Sequence, residues 1–159
     1  VNLGSASCEQ SQLWTLAVAS LVASALLTGL IWLVQLVQYP LLAKVGTEAF
    51  RIYHTLHSLR ISWIVVPLML LEVLLAVALV ARGRGLAPGW WLVVTSALLA
   101  LIWLSTFGLQ VPCHRRLAEG FDLATWQRLV ATNWIRTAAW SARTTLLGWW
   151  VLHSGAPQG

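Results

Sequence analysis

Long apolar runs alternate with short polar connectors along this chain. Residues at about 13–37, 61–81 and 90–111 are almost entirely aliphatic, aromatic or small. Each run approaches the ~20 residues that a helix needs to cross a bilayer. A fourth helix begins near 122 and runs to about 152; its membrane part, about 133–152, contains Arg136 and Arg143. The pattern predicts an all-α fold, a four-transmembrane-helix bundle with helices at about 13–37, 47–81, 90–111 and 122–152. The cytoplasmic ends of the second and fourth extend past the membrane. No repeat or linker divides the chain, so residues 1–159 form one domain.

Breakers set the boundaries. Tyr39-Pro40 is expected to end the first helix, because proline disfavours α geometry in the residue before it. Gly46-Thr47-Glu48 marks a new start, with Thr47 as N-cap and an acid in the first turn. Pro67 should kink the second helix. Arg82-Gly83-Arg84-Gly85 and Pro88-Gly89 form a turn. Pro112 should disrupt the end of the third helix, where its ring would meet the Gly108 carbonyl. The first run also carries Ser20, Ser24, Thr28, Gln35 and Gln38 on one face. Such a stripe lets helices pack closely in lipid. For Gln35 and Gln38 a cavity-lining role is as good a reading.

Composition agrees with a lipid environment. The chain is 58% hydrophobic and 9% charged, against roughly 25% charged residues in a soluble domain. The net charge is +5. With no phosphate-cradling loop and no Lys-rich tail, this basicity does not indicate nucleic acid. The basic residues lie between the runs, as topology signals do. Lys44, Arg51, Arg60, Arg115, Arg116 and Arg128 fall in the first and third connectors, whereas Arg82 and Arg84 alone fall in the second. Both termini are therefore expected outside and the His-bearing side in the cytoplasm. Trp14, Trp90, Trp91, Trp149 and Trp150 read as outer interfacial anchors, and Tyr39, Tyr53 and Trp126 as inner ones. Arg-over-Lys and Ala/Leu-rich usage fits a bacterial inner membrane. No basic segment precedes the first run, so it reads as a span rather than a cleaved signal. Cys8 and Cys113 should lie on opposite faces, so no disulfide is expected.

Two groups of ionisable residues stand out. RIYHTLHSLR, residues 51–60, places His54 and His57 one turn apart at the inner end of the second helix. His114 lies at the inner end of the third, with Gln110, Phe107 and Trp103 continuing its face inward. Asn133 and Arg136 open the membrane part of the fourth helix at that depth, and Glu48 lies below His54. Three imidazoles with a carboxylate could hold iron, copper or zinc. They could equally carry acid–base chemistry, or simply be solvated among lipid headgroups. The second group is Glu72 and Arg143, at depths of about 18 and 15 Å at 1.5 Å per residue. Unpaired charge is costly there, so the two should pair, either as a structural bridge or in a substrate or proton role. His153 lies apart, and Cys113 reads as a small buried thiol.

Two blocks, YPLLAKVGTEAFRIYHTLHSLRISWIVVPLML (Tyr39 to Leu70) and LQVPCHRRLAEGFDLATWQRLVATNWIRTAAWSAR (Leu109 to Arg143), resemble the anthrone-oxygenase-like family of small four-helix membrane proteins. The resemblance implies a site near His54 or His57 and the Arg136 region. Where that family often carries Asn, His114 stands here, a departure that points toward a metal or haem subgroup.

Two functions follow. In the first, a membrane oxidoreductase lets oxygen oxidise a hydrophobic or aromatic substrate that enters from lipid. Trp103, Phe107, Gln110 and Trp140 line its slot, and His54, His57 and His114 hold a metal or move protons. Arg136 and Asn133 stabilise an enolate or phenolate. In the second, the bundle is a carrier, a haem or ligand binder using the same histidines as axial ligands, or a subunit of a larger assembly. The eleven Trp suit partner helices, including a second copy of the chain, as well as substrates.

Overall fold

The computed structural model describes residues 3–154. Four long helical rods are joined by short turns. The first, α1, comprises Leu3–Leu33, a π-helical segment Val34–Gln38, and Tyr39–Leu42. The second, α2, is Thr47–Gly83. The third, α3, comprises Gly89–Ser105, a π-helical segment Thr106–Gln110, and Val111–Leu117. The fourth, α4, is Leu123–Ser154. No strand occurs among the described residues.

The two proline boundaries differ from expectation for one reason. Pro40 and Pro112 do not end their helices; both rods continue through them. In a regular α-helix each ring would strike the carbonyl four residues back, that of Leu36 or Gly108. A π turn in front of each proline removes the conflict by inserting one residue. Tyr39 N–H donates to Val34 O, and Val111 N–H donates to Thr106 O, a spacing of five in both cases. Tyr39 accordingly stays helical at φ −67°, ψ −43° despite preceding proline. Thr47 is likewise corrected: the N-cap is Gly46, in extended conformation, and Thr47 is the first helical residue. Pro67 lies inside α2, whose assignment is unbroken from Thr47 to Gly83. The Arg-Gly-Arg-Gly turn holds Gly85 at φ +82°, where a side chain would be strained.

Helix α1 packs along α2 and α4, and α3 packs along α4, while α2 and α3 approach each other sparingly. The polar stripe on α1 knits it to α4. Thr144 Oγ1 donates to Ser24 Oγ at 3.0 Å and shares a 2.8 Å contact with Thr28 Oγ1. Gln35 Nε2 donates to Val130 O at 3.3 Å. One apolar cluster gathers around Tyr39, Phe50, Met69, Ile102 and Trp140. A second, at the other end of the bundle, gathers around Leu13, Leu79, Trp91 and Trp150. Trp91 and Trp150 are thus core residues rather than interfacial anchors; they stack at 5.1 Å, and Trp91 Nε1 donates to Leu146 O.

Three of the rods, Cys8–Leu42, Thr47–Gly83 and Gly89–Leu117, are long and apolar enough to cross a membrane. Helix α4 is less apolar because Asn133, Arg136, Thr137 and Arg143 are on it, and all four are buried against the other helices. Large apolar side chains, Trp63, Leu74, Val93 and Leu104 among them, stand outward instead. This is the arrangement that lipid, not water, favours.

Candidate functional site

The gap between α2 and α3 forms a cavity of about 480 Å³ toward the end of the bundle that carries His54 and His114. Its apolar wall includes Leu27, Ile31, Ile61, Val65 and Met69. Its polar wall includes Tyr39, His54, Ser58, Thr106, Gln110, His114 and Arg136, and the exposed Arg115 also borders it. Thr55, Ser62, Val66 and Phe107 border it and are exposed, so the cavity opens sideways between the two helices.

His54 comes from α2 and His114 from the end of α3 that persists beyond Pro112. His54 Nε2 lies 3.1 Å from His114 Nδ1, and the rings stack at 5.3 Å. His114 Nε2 in turn lies 3.4 Å from the Tyr39 hydroxyl. The His–His contact needs one ring to donate and the other to accept, so the pair cannot be doubly protonated and keep it. His54 Nδ1 is buried and has no partner. Phe50, stacked on His54 at 5.7 Å, closes the other side of the ring.

His57 does not join this pair. It stacks on Tyr53 at 6.3 Å, at the rim of the cavity. Glu48 is exposed. Among the described residues no group of three His, Cys, Asp or Glu side chains is placed to hold a metal ion. The expected three-imidazole centre of His54, His57 and His114 is therefore corrected to a two-imidazole contact. His54 Nε2 is engaged by His114 and His114 Nε2 faces Tyr39, which leaves the buried His54 Nδ1 as the unpartnered nitrogen of the pair. His153 stacks on Trp149, away from the site, and Cys113 is buried as a free thiol.

Arg136 lines the cavity from α4 and is 9% exposed. Its Nε donates to Asn133 Oδ1 at 3.0 Å and its Nη1 to Thr106 Oγ1 at 3.3 Å, and its charge sits 5.6 Å from the Trp140 ring centre. Asn133 is buried behind it, donating to Gln35 Oε1 at 2.7 Å, and is not on the cavity wall. Asn133 thus orients Arg136 rather than meeting a ligand. Gln110 donates to Thr132 Oγ1 at 3.0 Å, while its own Oε1 is unpartnered. Trp103 and Phe107, 5.6 Å apart, border the opening, and Trp103 Nε1 is also unpartnered.

The structure brings Glu72 and Arg143 together. Arg143 Nε donates to Glu72 Oε1 at 3.0 Å, with exposures of 1% and 0%, and Arg143 Nη1 donates to the Thr95 carbonyl. Trp140 Nε1 donates to Glu72 Oε2 at 3.1 Å. The two polar centres are therefore joined, because one indole lies beside Arg136 and hydrogen-bonds Glu72. Sequence reasoning assigned Trp140 to the slot but missed this bridge. It also missed Tyr39, taken for an interfacial anchor. A signal existed: Gln38-Tyr39-Pro40 and Gln110-Val111-Pro112 share a Gln-x-Pro pattern, and in each the Gln is the last residue of a π segment.

No family model, no curated protein and no solved structure matches the chain.

Proposed function

We propose that this is an integral membrane protein of four spans, with both termini outside, that admits a small molecule with an apolar, aromatic body from lipid and removes a proton from it. The observation that carries the proposal is the His54–His114 contact on the wall of an apolar, side-opening cavity. The fourth span is supported by α4, whose outward face carries Trp134, Ile135, Ala138, Ala142 and Leu152 while Arg136 and Arg143 are buried against the other helices. The inner location of the site follows the distribution of Lys and Arg.

His54 is the base. A shift of the side chains around it exposes its unpartnered, buried Nδ1, which accepts a proton from an acidic C–H or O–H, and its Nε2 proton can pass to His114 Nδ1. The resemblance to anthrone oxygenases supplies the reaction class, oxidation of a benzylic CH2 flanked by aromatic rings. Proton removal gives an enolate that O2 oxidises. One oxygen atom becomes the new carbonyl and the other leaves as water with the two hydrogens. No reductant is consumed.

The test is oxygen uptake by the purified protein in nanodiscs with anthrone as probe, together with a visible spectrum and metal analysis. Wild type should consume oxygen and form the quinone faster than the protein-free background, and His54→Ala should lose about a hundredfold of that excess. Equal rates for wild type, His54→Ala and background would defeat the oxygenase assignment. Anthrone bound without oxygen uptake would make the protein a ligand binder.

A further inference from the structure

The two buried arginines of α4 are treated differently. Arg143 has a carboxylate, Glu72, at 3.0 Å. Arg136, two turns away on the same helix, has only neutral partners: an amide oxygen, a hydroxyl and an indole ring. No carboxylate of the described residues forms a salt bridge with it. Water filling the cavity can solvate this guanidinium. An apolar ligand that displaces that water leaves a bare cation, which is costly in a low-dielectric setting. A neutral ligand is thereby penalised in the resting complex, before any enolate forms.

We infer that the ligand of the α2–α3 cavity is an amphiphilic acid, bound in its ionised form, with a carboxylate seated on Arg136 and an apolar body along Ile61, Val65 and Met69. This rests on the cavity being the ligand site, but not on the proton chemistry. The donor set fits. Arg136 Nη1 keeps one hydrogen after bonding Thr106, and Nη2 donates to none of the described side chains, so the two can grip a carboxylate bidentately. Asn133, held by Gln35, fixes the fork in place. His54, Ser58 and Trp103, which also line the cavity, each keep an unpartnered polar atom buried behind its wall. An arginine in this setting orients a ligand, and selects its charge, in a way the apolar walls cannot.

Two probes of one shape separate the possibilities: anthracene-2-carboxylate and anthracene-2-methanol. Both are titrated into the full protein in nanodiscs, with binding corrected for partition into protein-free discs. Wild type should prefer the carboxylate by about tenfold or more. Arg136→Gln should bring the ratio to about one while retaining the alcohol, and Arg136→Lys should keep part of the preference. Ile61→Trp, which fills the cavity, should abolish both. Equal wild-type affinities, or an unchanged ratio in Arg136→Gln, would overturn the acid assignment and leave the cavity as the site. If Arg136→Gln does not fold, the wild-type ratio and Arg136→Lys decide the matter. Binding of neither probe, or binding indifferent to Ile61→Trp, would overturn the cavity itself.

Discussion

Single residues at the heart of the bundle are held by polar contacts that lipid makes expensive to break. Glu72 accepts from Arg143 and from Trp140, with no water-facing surface. Removing one partner of such a pair leaves a buried charge, at a cost of about 3–5 kcal/mol. Glu72→Gln should therefore lower unfolding stability by about that amount, measured in mixed micelles under increasing denaturing detergent. Glu72→Leu combined with Arg143→Met should be milder than Glu72→Gln, and a double variant as damaged as the single one would count against the pairing account. At this scale the sequence was informative where depth alone decides. The predicted levels of Glu72 with Arg143, and of His54 with His114, are the levels at which the structure joins them. It was uninformative where azimuth decides. His57 is one turn from His54, yet its ring stacks on Tyr53, and no count of residues along the chain foretells which way a ring turns.

Whole helices were legible in number and order, but not in how they begin and end: α1 starts at Leu3 rather than near 13, and α1 and α3 run on to Leu42 and Leu117. The start of α4 illustrates a boundary that local chemistry does set. Asp122 Oδ2 accepts from Thr125 N at 2.9 Å and also from the Thr125 hydroxyl, and these bonds hold the Asp122 carboxyl below its usual range. The folded value is depressed, so the cap is in place at neutral pH and is lost as the carboxyl protonates in acid. Hydrogen exchange at the Thr125 amide should accelerate in Asp122→Ala at pH 7. In wild type it should accelerate, beyond the intrinsic pH effect, only as pH falls through and below the ordinary aspartate range.

Prolines 40 and 112 illustrate the opposite. The rule that proline stops a helix assumes a regular turn before it, and the π segments remove that premise. Restoring an N–H with Pro112→Ala should let the turn relax to α geometry. Everything beyond it would then rotate by about 100° relative to the rest of α3. His114 would leave His54 while the rod stayed helical. Spin labels at Ser62 and Ala118, both exposed, should shift in separation by about 3 Å or more, with helix content by circular dichroism unchanged. An unmoved label distance would mean that neighbouring helices, not the proline, maintain the π turn.

On the scale of the whole molecule, composition announced a helical, lipid-compatible chain, and three rods have the length and apolarity to span a membrane. The fourth was the hardest to read, because hydropathy averages over a helix while burial sorts its faces. Averaged, α4 looks too polar; sorted, Arg136 and Arg143 lie within the bundle, and Arg128 is exposed near its start. Orientation is testable directly. In a Cys8→Ser background, Leu86→Cys in the turn between α2 and α3 should react with an impermeant maleimide on intact cells. Gly46→Cys, between α1 and α2, should react only after lysis. The reverse pattern would invert the topology and move the site to the outer face.

The sideways opening of the cavity, bordered by Val66 and Phe107, changes what affinity means for this protein. If the rods lie in a bilayer and the cavity takes a ligand as proposed, that ligand would reach the opening from the hydrocarbon, and occupancy would follow its mole fraction among lipids rather than its aqueous concentration. A compound that accumulates a thousandfold in membrane could saturate an intrinsically weak site. Apparent dissociation constants, quoted per volume of buffer, should then rise in proportion to the amount of lipid added at fixed total ligand.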